Sequence, residues 1–416
     1  MSEPKRHTDV AVIGGGPAGL AAAAAAANAG AEVVLVDRNP RLGGILNQCI
    51  HDGFGLHAFG EVLTGPEFGE RYVARATEAG VDLRVSTMVA ELSVDRELVC
   101  TSPGSRTRLA ATSVILAMGC RERTRGMLRI PGTRPSGVYT AGTAQWLTNM
   151  ANVRVGRRVL ILGSGDIGLI MARRLTWEGA EVVGVVELLP YPSGLPRNIS
   201  QCLDDYGIPL YLSHSVTCIH GVDRLERVTV SRFDDDRRPI PGTEFDVACD
   251  TLLLSVGLIP ENELSRRAGV LLDPTTSGAQ VDDRYMTNVD GIFSCGNVLH
   301  IHDLADWAAE EGARAGVRAA EYAAGGARRE ALDLVPIEAG PGIRYVLPQA
   351  TARSAKRLLV SFRVVEPADH RTAEVVAGGR DLASLSLRHA HPATMVQIEV
   401  DCGDGLDAER LEVRLR

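Results

Sequence analysis

Two carboxylates, Asp37 and Glu187, each follow a glycine-rich turn at nearly the same sequence spacing. The glycines are Gly14, Gly16 and Gly19 in the first turn, and Gly163, Gly165 and Gly168 in the second. In a G-x-G-x-x-G turn, the glycines permit a tight bend, a close approach to a pyrophosphate and close helix–strand packing. The acid about twenty residues later is positioned to accept hydrogen bonds from a ribose 2′-hydroxyl. The pattern predicts two dinucleotide sites in one chain, and therefore redox chemistry between them.

Each turn is expected to join a buried strand to a helix, so that phosphates lie at the helix N-terminus, where N–H groups and the helix dipole favour negative charge. The further residues assigned to the two sites are Pro17, Ala18 and Arg38 in the first, and Asp166 and Ile167 in the second. An acid at position 187 repels a 2′-phosphate, and no Arg or Lys follows it until Arg197. The second site is therefore predicted to prefer NADH to NADPH. A vestigial nucleotide fold at this position is the alternative.

Composition places the chain among water-soluble globular proteins. Its 416 residues are 45% hydrophobic and 23% charged, with a net charge of −8, so the basic surface typical of nucleic-acid binding is not expected. The apolar run 20–27 is too short to cross a membrane, and no secretory segment precedes the first strand, which predicts a cytoplasmic protein. Eight scattered cysteines contain no C-x-x-C pair, and no metal site is predicted.

Strand-like and helical patterns alternate from Thr8 to about Tyr322, which predicts a layered α/β fold. Buried strands ending in glycine turns are expected within 111–119, 250–260 and 291–297, and a helix is expected over 303–323. After a linker at 324–330 the pattern changes. Short strand-like runs at 357–365, 372–376 and 395–400 predict a small β-rich C-terminal domain.

Several landmarks resemble the pyridine nucleotide–disulfide oxidoreductase superfamily over residues 8–323. Besides the paired turns, they are Gly43-Gly44, Ala117-Met118-Gly119, the strand end at Gly257 and Pro260, and Cys295-Gly296-Asn297. The resemblance implies that the first turn binds FAD and the second NAD(H). Gly43, Gly44, Ala117, Gly119, Gly296 and Asn297 then belong to the FAD site, with Asn297 in the place of an Asp that usually contacts the ribityl chain. It further implies two Rossmann-like domains, an NAD domain (121–255) inserted in a discontinuous FAD domain (1–120 and 256–330), followed by the C-terminal domain (331–416).

The chain departs from that superfamily at the redox disulfide. Where one branch has two cysteines after the double glycine, an ungapped comparison gives Leu46 and His51. Where the thioredoxin reductase branch has a C-x-x-C pair, this chain has Thr140 and Thr143. Threonine forms neither a disulfide nor a readily generated thiolate. The sequence therefore predicts that electrons leave the flavin without a disulfide relay.

A narrower resemblance comes from three segments, 43–55, 196–202 and 295–303. They are similar to flavoprotein subunits that accompany glycerol-3-phosphate dehydrogenases, and to α-subunits of heteromeric amine, proline and opine dehydrogenases. This implies a hetero-oligomer with a second flavoprotein dehydrogenase subunit. The prediction is an FAD-dependent oxidoreductase that passes electrons between NADH and a partner subunit or small-molecule acceptor. The alternative is a subunit of an amine, imino-acid or hydroxy-acid dehydrogenase whose second nucleotide site is structural. A non-catalytic scaffold is a third reading.

If the resemblance holds, residues 48–52 lie along the flavin ring. His51 is then a candidate proton donor or acceptor, because histidine titrates near neutral pH. The plainer interpretation is a histidine that only hydrogen-bonds Asp52 or a backbone carbonyl. Cys49 is either a peroxide-reactive thiol or a packed, inert cysteine.

A second group of candidates follows the Gly296-Asn297 turn. His300 and His302 are predicted to contact the pyrimidine end of the flavin or an incoming substrate. Asp303 is at the expected start of a helix, where its side chain is a suitable N-cap.

Overall fold

The computed structural model describes residues 6–326, 328 and 333–416. These residues form two compact units. One unit is Arg121–Ile259, and the other combines the described residues up to Cys120 with those from Pro260 onwards. The chain passes between the units within two short strands, Cys120–Glu122 and Leu258–Pro260.

A seven-stranded sheet is the centre of the larger unit. Its parallel part is built on Arg6–Ile13, which lies between Val33–Val36 and Ser105–Leu116. Parallel strands that are buried on both faces are continuous apolar runs, as Val33–Val36 is, with every residue buried. The remaining strands are Asp82–Arg84 beyond Val33–Val36, Ile292–Ser294 on Ser105–Leu116, and the antiparallel pair Glu97–Ser102 and Met88–Leu92.

Two helices on one face of this sheet pack with their backbones in close contact. Pro17–Asn28 is almost entirely alanine after its first turn, and Ala305–Ala323 presents Gly312 and Gly316 to it. A Cβ atom on either glycine would lie 2.1 Å from a carbonyl oxygen of the alanine helix, that of Ala18 or Ala22. Small side chains on both helices are therefore required for this packing. The other helices of the unit are Leu56–Phe59, Gly65–Glu78 and Glu263–Arg267, with 3₁₀ turns at Gly44–Gln48 and Gly296–Val298.

The smaller unit repeats the same architecture. Its five-stranded parallel sheet has the order Val138–Thr140, Thr251–Leu254, Arg158–Leu162, Glu181–Glu187 and Leu210–Leu212. The helix Asp166–Trp177 follows the second glycine turn, and the other helices are Arg125–Leu128, Ala141–Asn149, Pro196–Cys202 and the 3₁₀ turn Asp204–Tyr206. An antiparallel sheet of His214–Gly221, Leu225–Arg232 and Phe245–Ala248 completes it.

The C-terminal part of the larger unit is all β. A five-stranded sheet has the order Ala350–Ala352, Leu334–Ala339, Leu411–Leu415, Ala368–Ala377 and Arg380–Ala390. A three-stranded sheet has the order Ile343–Leu347, Arg357–Val364 and Val396–Asp401. Side chains of both sheets, such as Val375 and Phe362, belong to one apolar cluster, so the two sheets share a core.

The α/β class, with two Rossmann-like folds and a β-rich C-terminal region, is confirmed. The strands expected near 357–365, 372–376 and 395–400 are Arg357–Val364, Ala368–Ala377 and Val396–Asp401. The helix expected from residue 303 begins at Ala305. Of the linker expected at 324–330, residues 327, 329 and 330 lie outside the described residues. Within the described part of the chain, no helix is both long and apolar enough to cross a membrane.

Candidate functional site

The first glycine turn connects the central strand of the larger unit to the alanine helix. Gly14 has a φ of 110°, in the left-handed region, and a Cβ there would lie 2.3 Å from the carbonyl oxygen of Ala117. The helix begins at Pro17, with Gly16 as its N-cap. Pro suits this first position because its missing N–H has no partner in a helix. The turn therefore brings the N-terminus of the helix to the end of the strand.

The second turn has the same construction in the smaller unit. Gly163 has a φ of 91°, and a Cβ there would lie 2.2 Å from the carbonyl oxygen of Ser255. The helix begins at Asp166 with Gly165 as its N-cap. Ser255 also accepts a hydrogen bond from the Gly168 amide, at 3.1 Å on its Oγ, which fixes the helix against the neighbouring strand.

Each acid accepts two equivalent backbone hydrogen bonds. Asp37 Oδ2 accepts from the Gly15 amide at 2.6 Å and Oδ1 from the Asn39 amide at 2.7 Å. Glu187 Oε2 accepts from the Ser164 amide at 2.9 Å and Oε1 from the Leu189 amide at 3.0 Å. In both units the carboxylate thus links the second residue of the glycine turn, Gly15 or Ser164, to the second residue after the acid, Asn39 or Leu189. Both are buried, at 7% and 5% exposed.

Glu187 is held by two further donors. The Ser164 and Ser193 hydroxyls both donate to its Oε2, at 2.6 and 2.9 Å. These contacts hold the carboxylate in place beside the turn. Arg197 is in the helix Pro196–Cys202, which follows Ser193.

The double glycine and the Gly296 turn lie beside the first turn. The Gly43 amide donates to the Gly15 carbonyl at 2.8 Å. A Cβ on Gly44 would lie 3.0 Å from the Gly16 Cα, and one on Gly296 would lie 2.6 Å from the Ala18 Cβ. Residues far apart in the sequence, from the first turn and from the Gly296 turn, therefore surround one helix N-terminus.

These surroundings fit a bound pyrophosphate. A Cβ atom added at Gly14 would contact backbone atoms of Ala117. At Gly16, no described atom lies within 4 Å of an added Cβ atom. Gly16 therefore faces open space at the start of the helix, where amide groups and the helix dipole favour phosphate. Asp37 retains lone pairs beyond its two hydrogen bonds, so its carboxylate can also accept a hydrogen bond from a ribose hydroxyl.

The candidates His51 and Cys49 lie on the segment after the double glycine. His51 is half-buried, with its ring centroid 5.2 Å from that of Phe54, and it precedes the hairpin of Asp52–Phe54 with Leu63–Thr64. The Cys49 thiol donates to the Ile45 carbonyl at 3.3 Å, and burial raises its pKa to about 12. At neutral pH Cys49 is therefore a protonated thiol, which does not support the reactive-thiol interpretation.

The fold brings His300 and His302 together with Glu311, a residue that the sequence pattern did not indicate. His300 Nε2 lies 2.9 Å from Glu311 Oε2, and His302 Nε2 lies 3.5 Å from Glu311 Oε1. The Gly296 amide donates to Glu311 Oε1 at 2.7 Å. Burial, and then His302, lower the pKa of His300 to about 4. Burial acts to raise the pKa of Glu311, but the two histidines more than offset this and lower it.

The C-terminal region supplies two residues to this cluster. Tyr345 Oη lies 3.4 Å from His300 Nδ1 and accepts from Arg363 Nε at 3.1 Å. Arg363 also donates to the Ile301 carbonyl at 3.0 Å and pairs with Asp303 at 3.4 Å. Asp303 therefore does not cap the helix, whose N-cap is Leu304 without a side-chain hydrogen bond. The expected cap is wrong because a buried arginine binds this carboxylate.

Another residue not anticipated is Asp306, in the first turn of the same helix. Its carboxylate accepts hydrogen bonds from the amides of Gly55, His57 and Ala58, at 3.1, 3.1 and 3.0 Å. It thereby holds the segment that follows His51. Asp306 and Glu311 are charged residues on the buried face of an amphipathic helix, and that pattern is the sequence signal that could have identified them.

The residues at the positions where the superfamily has its redox disulfide have structural roles in this chain. Thr140 accepts a hydrogen bond from the Thr143 amide at 3.3 Å and so caps the helix Ala141–Asn149. Leu46 is buried in the core of the larger unit. All eight cysteines are within the described residues, and none forms a disulfide.

Comparison with known proteins agrees with this construction. The family described as pyridine nucleotide-disulphide oxidoreductase matches residues 8–312. Hydrogen cyanide synthase subunit HcnB of Pseudomonas aeruginosa is 28% identical over 340 residues, covering 78% of this chain and 70% of that protein. The ferredoxin reductase component of chlorobenzene dioxygenase from Cupriavidus sp. is 30% identical over 318 residues, covering 74% and 69%.

Among solved structures, thioredoxin reductase of T. acidophilum has the same fold, with a TM-score of 0.63 at 22% identity. The match covers 76% of this chain and 99% of that one. The chain therefore belongs to the pyridine nucleotide-disulphide oxidoreductase family, whose enzymes use FAD and NAD(P)H.

Proposed function

We propose that this protein passes electrons between NADH and a partner subunit or small-molecule acceptor through a bound FAD, without a redox disulfide. The observation that carries the proposal is the repeated turn, in which Asp37 and Glu187 make equivalent contacts to Gly15 and Ser164. Two intact dinucleotide turns are what an enzyme needs to bind an electron donor and a flavin together. FAD, when bound, supplies the hydride and electron chemistry, and the protein supplies orientation and electrostatics.

The FAD site is proposed around the first turn. It comprises Gly14, Gly16, Pro17, Ala18, Gly19, Asp37, Arg38, Gly43, Gly44, Ala117, Gly119, Gly296 and Asn297. The NADH site is proposed around the second turn, with Gly163, Gly165, Asp166, Ile167, Gly168 and Glu187. The fixed, buried carboxylate of Glu187 supports the choice of NADH, because it holds a negative charge where a 2′-phosphate would otherwise bind.

Thr140 and Thr143, at the positions of the C-x-x-C pair, support direct electron transfer from the flavin to the acceptor, because threonine forms no disulfide. His51 is the proposed proton donor or acceptor, since it is half-buried and its segment is held by Asp306. Cys49 is not proposed as a nucleophile because of its raised pKa. His300 is 0% exposed and is not proposed to contact a substrate.

Partners are proposed from the relatives. Their names describe a subunit of one enzyme and a component of another. We propose a hetero-oligomer with a second flavoprotein dehydrogenase subunit, together with a small-molecule substrate. We also propose the domain division at residues 120, 255 and 330. Separate apolar clusters around Val159 and around Val375 support it.

The decisive experiment is anaerobic addition of NADH to the purified protein, with and without its co-purifying partner, while the flavin absorbance is recorded. The proposal requires NADH to bleach the flavin. If only an amine, imino acid or hydroxy acid bleaches it, the chain is a dehydrogenase subunit with a structural second site. If no flavin is present after gentle purification, the enzymatic proposal fails.

A site-directed variant tests the FAD assignment. Gly16→Val places its side chain in open space, so we expect the fold to persist and FAD to be lost. Gly126→Val is the control, because the nearest atom to a Cβ there is 3.9 Å away and the residue is outside the proposed sites. Full FAD content in the folded Gly16 variant would contradict the assignment.

A further inference from the structure

The buried cluster of His300, His302 and Glu311 has a donor set that the electron-transfer reaction does not use. Each residue offers one ligand atom, and these atoms all lie within 4.8 Å of one another. Their side chains are 1%, 3% and 10% exposed. Buried ionised groups in proteins are either paired with opposite charges or bound to metal ions. The contacts around the cluster distinguish these two arrangements.

The position of the proton on His302 follows from Asn297. The backbone amide of His302 donates to Asn297 Oδ1 at 3.0 Å, which identifies that atom as the oxygen. His302 Nδ1 lies 3.2 Å from the same oxygen and therefore carries a proton. In a neutral imidazole the other nitrogen, Nε2, is then an unprotonated acceptor. It faces Glu311 Oε1, so two atoms with lone pairs point towards each other.

Either a proton or a metal ion can bridge two such atoms, and the distance at His302 favours the ion. A charge-assisted N–H···O bond is about 2.7–2.9 Å long, whereas His302 Nε2 and Glu311 Oε1 are 3.5 Å apart. Two ligand atoms at about 2.1 Å from one zinc ion lie about 3.4 Å apart in a tetrahedral site. The 3.5 Å between His302 Nε2 and Glu311 Oε1 matches this spacing, and His300 Nε2 lies 2.9 Å from the other oxygen of the same carboxylate.

The surroundings also resemble those of a metal site. Ligating histidines usually bind a polar partner through the nitrogen that does not face the metal, and that partner orients the ring. Here His302 Nδ1 contacts Asn297 Oδ1 and His300 Nδ1 contacts Tyr345 Oη, while both Nε2 atoms face Glu311. The Gly296 amide fixes Glu311 Oε1 in the same way. Three ligands and their supporting contacts are therefore in place.

We propose that His300, His302 and Glu311 bind one divalent transition-metal ion of the zinc class. Two imidazoles and one carboxylate are an established zinc ligand set, with a fourth position for water. The ion joins the turn after Gly296 to the helix Ala305–Ala323, and Tyr345 connects it to the C-terminal sheets. The sequence spacing does not indicate this site because Glu311 belongs to the helix that follows the two histidines. The proposal does not depend on the electron-transfer function.

The test measures metal directly. Full-length protein is stripped with a chelator, incubated with Zn²⁺ or Co²⁺, desalted and assayed for metal per chain by mass spectrometry. We expect about one equivalent in the unmodified protein and loss of this equivalent in Glu311→Gln and His302→Ala. Co²⁺ should give visible absorption bands in the unmodified protein only. Tyr345→Phe removes an orienting contact and should weaken metal affinity about 10-fold to 100-fold.

His57→Ala is the matched control, since His57 is an exposed histidine beside Trp307 and outside the cluster. It should retain one equivalent of metal. Circular dichroism of every variant separates loss of metal from loss of fold. If the folded, unmodified protein binds no more Zn²⁺ or Co²⁺ than Glu311→Gln, the proposal is refuted and a proton occupies the site.

Discussion

Replacing Glu187 by Gln tests how the second turn selects its nucleotide. The glutamine oxygen can retain the three donors on Oε2, the Ser164 amide and the Ser164 and Ser193 hydroxyls. Its NH₂ group would face the Leu189 amide and lose that hydrogen bond, which is 3.0 Å long in the native protein. The substitution therefore removes the charge at the cost of one contact, with the shape of the site preserved.

The expected magnitude follows from Coulomb's law. A 2′-phosphate about 4 Å from the carboxylate is repelled by about 4 kcal/mol per pair of unit charges at an effective dielectric constant of about 20. With half of this removed by solvent and salt, about 2 kcal/mol remains, or about 30-fold in relative affinity. Glu187→Gln should therefore shift the ratio of NADPH to NADH affinity by about 30-fold towards NADPH.

The assay compares kcat/KM for flavin reduction by NADH and NADPH at low and high salt. Ser193→Ala is the control, since it removes one donor to Glu187 but leaves the charge. It should leave the preference between the nucleotides nearly unchanged. An unaltered nucleotide ratio in Glu187→Gln, or an equal shift in both variants, would refute the assignment of Glu187 as the selecting charge.

Three further predictions concern packing, thiol chemistry and the C-terminal region. Gly316→Val should lower the free energy of unfolding in urea by about 2–3 kcal/mol, because its Cβ would lie 2.1 Å from the Ala22 carbonyl oxygen. An unchanged free energy of unfolding would mean that the two helices that carry these residues are not in close contact. Cys49 should resist iodoacetamide at pH values well below its pKa of about 12 and react once the chain is unfolded. Rapid labelling of native protein near neutral pH would contradict the raised pKa. Arg363→Ala should lower the free energy of unfolding in urea by about 3–5 kcal/mol, since it leaves the buried Asp303 carboxylate without its ion-pair partner. A loss below about 1 kcal/mol, which is the range for a solvent-exposed ion pair, would argue against a buried pair.

The glycine turns and their acids could be predicted from sequence because their chemistry is local. A left-handed φ at Gly14 or Gly163 is a property of the turn itself. Asp37 and Glu187 reach the turns because a strand–helix–strand unit returns the chain to a neighbouring parallel position after about twenty residues. The alternation of strands and helices likewise follows from the period of the apolar residues.

The cluster around Glu311 could not be predicted in this way. Its members come from the Gly296 turn, from the buried face of a long helix and from the C-terminal sheets. No periodicity relates these segments, since their contacts depend on how the sheets and helices pack. The sequence showed two histidines near a helix start, but not the carboxylate between them.

Asp303 illustrates the same distinction. The sequence predicted that Asp303 starts a helix, where an aspartate is a common N-cap, but the helix begins at Ala305. In the structure a buried arginine from a distant strand, Arg363, binds its carboxylate instead. The sequence thus determined the two nucleotide-binding turns, because their geometry is set by residues close along the chain. Tertiary packing alone decided which charged groups became buried together, because a desolvated carboxylate binds whichever donor the fold brings to it.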